Sequence, residues 1–375
     1  MTTMNHIERD EQARAILRGN DRGGYTVPTA GLYPYQWNWD SAFTAWGFAT
    51  FNTERAWVEI ETLMSGQWPS GMVPHILFHR PDPGYFPGPD VWGADLGPIP
   101  SSGISQPPVA ATMVRAIFER DPDDARLRPL FGKLKEWHRW FMQWRSDEGA
   151  IFITHPWEAG RDNAPDWDES MAAIHPEGVG DYTRRDTAHV DASMRPTKEE
   201  YARYVWLVQQ GRKLHWSDAE MAKSLPLRVA DPTMTFILLR ANRDLTALGE
   251  ALGEDTTELK DWTTTLREGA ARLRNPDLGV FDAINLATGK HTGNVSNASY
   301  LCWYGGVDDG TMLAYLDAAF DACKYPVPSH PAGTDKFDAK RYWRGPTWAF
   351  MNSMIGRGLR DMGYDDYADR LRDTT

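Results

Sequence analysis

The sequence predicts an all-α domain, on three observations. Apolar side chains recur at spacings of three and four, capping residues stand in front of those runs, and alternating strand patterns are short and scattered. Asn52 precedes a run in which Trp57, Ile60 and Met64 share a face, and the run stops before Ser65-Gly66. Leu127, Leu130, Leu134, Trp137, Phe141 and Trp144 form a longer stripe. Thr197 with Glu200 makes a capping box ahead of Tyr201, Tyr204, Val205 and Val208. Asp231-Pro232 sets an N-cap before a proline at the first helical position, and Asp255 with Glu258 repeats the capping pattern before Leu259, Trp262 and Leu266. Trp343 to Leu359 is a further helix, ended by Gly363, and Tyr367 to Arg372 starts another. With no repeat, linker or low-complexity stretch, residues 1–375 read as one domain.

The connections are longer than helix packing requires. Residues 69–108 hold ten of the 25 prolines, yet His75, Phe78, Tyr85, Phe86 and Trp92 are embedded among them. Disordered segments are poor in aromatics, so this loop is expected to be ordered and functional. A second coil, from about Phe152 to Arg195, carries His155-Pro156-Trp157-Glu158 and then Asp162, Asp166, Asp168 and Glu169, and is expected to form another wall of the same site.

Composition excludes several classes. The 52 acidic and 40 basic side chains leave a net charge of −12, which opposes phosphate binding, so no nucleic-acid partner is expected. No apolar run approaches the ~20 residues that cross a bilayer. Met1 to Asp10 is polar, so no secretory signal is expected and the cytosol is the expected compartment. Cys302 and Cys323 are too few for a disulfide framework and are expected to be buried thiols. His75 and His79 stand at i, i+4, but Pro74 and Pro81 oppose a helix there, so loop hydrogen bonding is expected rather than a metal. Phosphate loops and serine-nucleophile elbows are absent, and no cofactor is expected.

The 17 Trp, beside 14 Tyr and 14 Phe, point to carbohydrate. Flat sugar faces stack on aromatic walls while carboxylates bind hydroxyls. Three segments mix these residue types: Tyr35 to Asp40, Pro156 to Asp162, and Arg341 to Trp348. Glycoside hydrolysis needs two carboxyl groups across the scissile bond, one protonated near neutrality, and aromatic surroundings help keep it so. Residue chemistry alone does not choose Asp162 over Glu158, Asp166 or Asp168.

Five ordered segments carry a resemblance. They are Tyr35-Gln36-Trp37-Asn38-Trp39-Asp40-Ser41-Ala42-Phe43, Gly66-Gln67-Trp68-Pro69-Ser70-Gly71-Met72-Val73-Pro74-His75, Ser102-Gly103-Ile104-Ser105-Gln106-Pro107-Pro108, His155-Pro156-Trp157-Glu158-Ala159-Gly160-Arg161-Asp162-Asn163 and Tyr342-Trp343-Arg344-Gly345-Pro346-Thr347-Trp348. From about residue 20 onward the chain resembles glycoside hydrolase family 63, in its branch of bacterial glucosylglycerate and mannosylglycerate hydrolases. The resemblance implies an (α/α)6 barrel of twelve helices in two rings, with long loops forming the pocket and hydrolysis with inversion. It implies Asp162 as general acid. Trp39, Asp40, Gln106, Trp157, Trp343 and Trp348 then surround the sugar, and Trp37 is a further substrate-binding residue. Tyr33, His75, Tyr85, Arg195, Tyr201 and Tyr342 lie toward the leaving group, where the Arg195 fork suits a glycerate carboxylate.

One part of the family pattern is missing. Its general base is a Glu in a C-terminal stretch resembling Glu-Tyr-(Phe/Tyr)-Asp-Pro with a later Thr-Gly-Glu, and this sequence reaches Thr375 without one. Phe281-Asp282 with Thr288-Gly289 is an echo that lacks the Glu. The last barrel helix is also expected to be missing, with a gap in the ring beside the first helices, an open pocket side near Trp343 and no hydrolysis by this chain. The expected activity is that of an α-glycoside hydrolase for glucosylglycerate or mannosylglycerate. The alternatives are an α-glucosidase for short neutral oligosaccharides and a sugar-binding relative without turnover.

Overall fold

The computed structural model describes residues 6–187 and 190–375. Helices dominate. In chain order they are α1 (His6–Asn20), α2 (Asn38–Phe48), α3 (Thr53–Ser65), the single turn α4 (Pro89–Trp92), α5 (Ala110–Phe118), α6 (Asp124–Trp144) and the short α7 (Asp168–Ala172). There follow α8 (Lys198–Lys213), α9 (Asp218–Ser224), α10 (Pro232–Leu252), α11 (Thr257–Arg272), α12 (Cys302–Gly305), α13 (Met312–Ala322), α14 (Ala349–Asp361) and α15 (Asp365–Thr374).

Local chemistry sets most boundaries. The Asn52 side chain accepts from Arg55 N at the start of α3, and Gly66 follows its end. Both halves of the Thr197/Glu200 capping box form at α8. Asp231 accepts from Thr233 N ahead of Pro232 at α10. The α6 stripe lies inward, with Leu127, Leu130, Leu134, Trp137 and Phe141 buried.

Burial separates two layers. α10 buries 16 of its 21 residues, which is what a helix surrounded on all sides requires, whereas α15 buries only Ala368 and Leu371. The buried α2, α5, α10, α12 and α14 pack one on the next around a common axis. α3, α6, α11 and α15 lie outside them against their chain neighbours, as in an (α/α)6 barrel. Between α14 and α2 the seam is made by rings: Phe350 meets Trp39 at 4.9 Å and Phe43 at 5.4 Å. Trp46 of α2 remains 37% exposed. This is the place where the sequence predicts a gap in the ring.

Four expectations need correction. Asp255 does not build a capping box: it caps Thr257 N, while Glu258 pairs with Arg139 and Lys135 instead. The last long helix begins at Ala349 rather than Trp343, because Gly345 packs against the Asp338 backbone and Pro346 follows, holding 343–348 as a loop. Cys302 is buried, but Cys323 is only partly so, at the open end of α13. A small antiparallel sheet of five short strands also forms, in the order Ser146–Asp147, Ala150–Ile153, Val229–Ala230, Ile284–Asn285, Lys290–His291. Its two- to four-residue strands are too short for alternation to register in the sequence.

Candidate active site

The loops that leave one end of the barrel close around a cavity of about 410 Å³. Its walls include all fourteen residues expected from the sequence: Tyr33, Trp37, Trp39, Asp40, His75, Tyr85, Gln106, Trp157, Asp162, Arg195, Tyr201, Tyr342, Trp343 and Trp348. They come from chain positions more than 300 residues apart, and the local structure explains how each wall is set.

The first wall is the start of α2. Gln36 and Trp37 pair antiparallel with Leu77 and Ile76, which brings His75 beside Trp37. The chain then turns into α2, placing Trp39 and Asp40 in its first turn, and Gln106 Oε1 accepts from Trp39 N at 3.1 Å. His79 Nε2 lies 2.7 Å from Gln36 Oε1. Among the described residues no cluster of His, Cys, Asp or Glu is arranged to hold a metal.

The segment carrying Asp162 is held from both sides. Glu158 is buried and accepts from Thr154 N at 2.6 Å, Thr154 Oγ1 at 3.0 Å and Arg145 at 3.2 Å. Gly160 turns the chain at φ +67, and a Cβ there would sit 2.4 Å from Trp39 Cζ2, so both the backbone and the space require glycine. Arg161, fully buried, pairs with Asp231 at 2.8 Å and Asp166 at 3.3 Å. With Glu158 and Arg161 fixed inward, Asp162 faces the cavity. Its backbone carbonyl accepts from Tyr204 Oη at 2.8 Å and Trp167 Nε1 at 2.9 Å.

This geometry separates the four local carboxylates. Glu158 is held by Arg145, Asp166 by Arg161 and Ser296, and Asp168 by Arg344. Asp162 alone of the four lines the cavity. Burial among rings pushes its carboxyl up to about 7, with Asp186 and Asp40 adding to the rise and Arg195 opposing it. Burial likewise raises Asp40 to about 7, against the pull of a helix start toward the anion. Asp282, the centre of the Phe281-Asp282 echo, is instead bound to Thr292, Asn275 and Gly293 away from the cavity. No glutamate lines the cavity among the described residues.

The opposite wall is the 342–348 loop. Trp343 N donates to Asn163 Oδ1 at 2.9 Å, which stitches this loop to the Asp162 segment. Trp343 stacks on Trp348 at 4.6 Å and 12°. Tyr342 adopts φ +29, costly for a non-glycine residue, with its N–H donating to Met194 O at 3.1 Å. The Arg195 guanidinium lies 4.3 Å over its ring. Among the described residues no carboxylate stands within ion-pair distance of Arg195.

Sequence reading missed Thr29, Leu32, Tyr204, Arg185 and Asp186, which also line the cavity. Tyr204 was legible only as a helix-face residue. Arg185 and Asp186 lie in the 152–195 coil, in a run of three consecutive charged residues. No helix among the described residues is long and apolar enough to cross a membrane.

Comparison with known proteins agrees with this geometry. Over residues 33–375 the chain matches the model of the mannosylglycerate hydrolase MGH1-like glycoside hydrolase domain. It is 42% identical over 373 residues to mannosylglycerate hydrolase MGH1 of Selaginella moellendorffii, covering 96% of this chain and 76% of that protein. It is 40% identical over 373 residues to mannosylglycerate hydrolase of Thermus thermophilus, covering 96% and 90%. The crystal structure of a GH63 mannosylglycerate hydrolase from Thermus thermophilus with Tris and D-glycerate superposes with a TM-score of 0.93, covering 97% of this chain and 90% of that one at 40% identity. With its barrel, its aromatic cavity and a match along nearly its whole length, the chain belongs to the MGH1-like glycoside hydrolases of family 63.

Proposed function

We propose that residues 1–375 form one cytoplasmic glycoside hydrolase domain of an enzyme that cleaves glucosylglycerate or mannosylglycerate with inversion, releasing the sugar and glycerate. The observation that carries this reading is the pair Asp162 and Arg195 on one aromatic cavity: a carboxyl raised to about 7 beside a guanidinium with no carboxylate partner among the described residues. An acid with that pKa is about half protonated at neutrality, where an ordinary aspartate would be ionised, and so can protonate the leaving-group oxygen. The Arg195 fork receives the glycerate carboxylate with two parallel hydrogen bonds, while Tyr33, His75, Tyr85, Tyr201 and Tyr342 close around it.

On the sugar side Trp39, Trp157, Trp343 and Trp348 offer apolar faces, while Trp37 packs against Tyr33, His75 and Tyr85. Asp40 and Gln106 offer hydroxyl partners. Inversion also needs a base on the far face of the sugar, about 6.5 to 9.5 Å from Asp162. Asp40 is assigned here to sugar hydroxyls rather than to that base. Two relatives named as mannosylglycerate hydrolases, and D-glycerate in the structure of one such enzyme, support the acidic aglycone.

The test is release of glycerate from glucosylglycerate and mannosylglycerate, assayed beside a neutral α-glucoside, with this chain and with a C-terminally extended one. Turnover of either glycerate-bearing glycoside by either form, ahead of the neutral glucoside, supports the reading. Preference for the neutral glucoside in both forms sinks it.

A further inference from the structure

Asp162 is aimed by its main chain. Among the described residues, the side-chain hydrogen bonds to Asp162 go to its carbonyl oxygen and none goes to its carboxyl. The direction of the acid is therefore set by the backbone that carries it. Two donors converge on that carbonyl, Tyr204 Oη at 2.8 Å and Trp167 Nε1 at 2.9 Å, and between them they occupy both of its lone pairs. Both residues are buried.

Tyr204 also holds the other end of the same segment. His155 Nδ1 accepts from Trp157 N at 3.1 Å, which leaves the ring proton on Nε2, and Nε2 donates to the Tyr204 main-chain carbonyl at 3.0 Å. The stretch from His155 to Asp162 is thus pinned at both ends to one residue. Trp157, a cavity residue, packs between the two pins, 5.7 Å from the Tyr204 ring. Tyr204 stands on α8 one turn after Tyr201, and α8 begins at Lys198, three residues after Arg195. The helix that grips Asp162 therefore also anchors the leaving-group wall, where Tyr201 and Arg195 line the cavity. A general acid acts only when it lies within about 2.6 to 3.2 Å of the oxygen it protonates. Both partners in that distance, the acid and the wall that receives the leaving group, are referred to one helix.

We propose that Tyr204, together with Trp167, is a positioning residue that sets the reach of Asp162 to the leaving-group oxygen by holding the Asp162 carbonyl against α8. Tyr204 gives no proton to the substrate, because its hydroxyl hydrogen is committed to that carbonyl. The inference rests on the roles proposed above for Asp162 and Arg195, and adds what keeps the acid in register with the leaving group.

The test separates proton delivery from the other demands on the site by changing the leaving group. α-D-Glucosyl fluoride and α-D-mannosyl fluoride release fluoride without a proton, whereas the glycerate oxygen must be protonated as it leaves. In the form of the chain that turns over the glycerate-bearing glycoside in the assay above, Tyr204→Phe should lower kcat on that glycoside about tenfold, leave KM near wild type and change fluoride turnover by less than about twofold. Trp167 keeps the carbonyl paired in this variant, so it is expected to fold, and the urea midpoint checks this. Trp167→Phe, which removes the second donor, should give the same split. A loss that falls equally on glycoside and fluoride overturns the proposal. So does a Tyr204→Phe enzyme with wild-type kcat on the glycoside, and so does failure of both variants to fold, which marks a structural role only. Asp162→Asn is the benchmark and should show the same split at its full size. If it loses fluoride turnover equally, or if neither form of the chain turns over a glycerate-bearing glycoside, the parent reading falls whatever Tyr204 does.

Discussion

At the end of the cavity proposed to hold the sugar, Trp39 and Asp40 stand in the first turn of α2, whereas at the other end Tyr33, Arg195 and Tyr342 project from coil. The first end is tied by main-chain bonds to its neighbours, through Trp39 N to Gln106 and Trp343 N to Asn163. The second has one such tie, Tyr342 N to Met194 O, and is otherwise held by rings and guanidinium forks: Arg195 over Tyr342, Arg184 on Asp186, Arg185 on Asp82. Main-chain bonds at a helix start leave little freedom, while side-chain contacts between loops yield at lower cost. A hydrolase that must grip one sugar and release an acidic fragment gains from a firm end and a yielding one.

The firmest test of that contrast is Asp162→Asn. In whichever form of the chain turns over, it should lose about 10²- to 10⁴-fold in turnover while sugar binding, read by calorimetry, stays near wild type. Near-native turnover would remove Asp162 from its role. Arg195→Ala comes next: affinity for glycerate-bearing glycosides should fall by about 1.5 to 3 kcal/mol, with neutral glucosides little affected. Equal losses for both would erase the distinction between the two ends.

The firm end should also break where it is tightest. Gly160→Ala meets Trp39 and forces a methyl onto a left-handed backbone, so about 1 to 3 kcal/mol of stability should be lost in urea unfolding, together with sugar affinity. An unchanged midpoint would mean that Trp39 moves freely.

Asp40 should give a smaller, pH-dependent signal. Its folded pKa is raised from 3.8 to about 7, so the native state binds a proton that the unfolded chain releases. The stability is fully present below about 3.8 and is lost as pH rises through about 7. Asp40→Asn should therefore match wild type near pH 4 and exceed it at pH 8 by on the order of 1 kcal/mol, water in the cavity reducing the full value. Thermal unfolding that shows no pH-dependent gap would place Asp40 in a wetter site. Smallest of all, Arg185→Ala removes a partly exposed ion pair with Asp82 and should cost about 0.2 to 1 kcal/mol, mainly as weaker D-glycerate affinity.

Helix caps were legible because their chemistry is local. Asn52, Thr197/Glu200 and Asp231-Pro232 act on backbone groups two or three residues away, and each caps the helix expected of it. Asp255 and Glu258 show the limit of that logic, since Glu258 found Arg139 and Lys135 on a different helix. The loop at 343–348 shows it again: its residues suit a helix, but contacts with Asp338 and Asn163 hold them as a wall.

The sequence by itself determined that the chain is helical and acidic, that its long loops are aromatic, and which five segments carry the family resemblance. Each of these depends on residue type and spacing along the chain. Only the tertiary structure decided which carboxylate meets the cavity. Glu158, Asp162, Asp166 and Asp168 are chemically alike and lie within eleven residues of one another. What separates them is Arg145 just after α6 on Glu158, Arg161 with Ser296 on Asp166, and Arg344 far along the chain on Asp168, because a buried charge must find its partner wherever the fold brings one. Three of the four carboxylates lie in structural pairs of this kind, and Asp162 is left facing the rings.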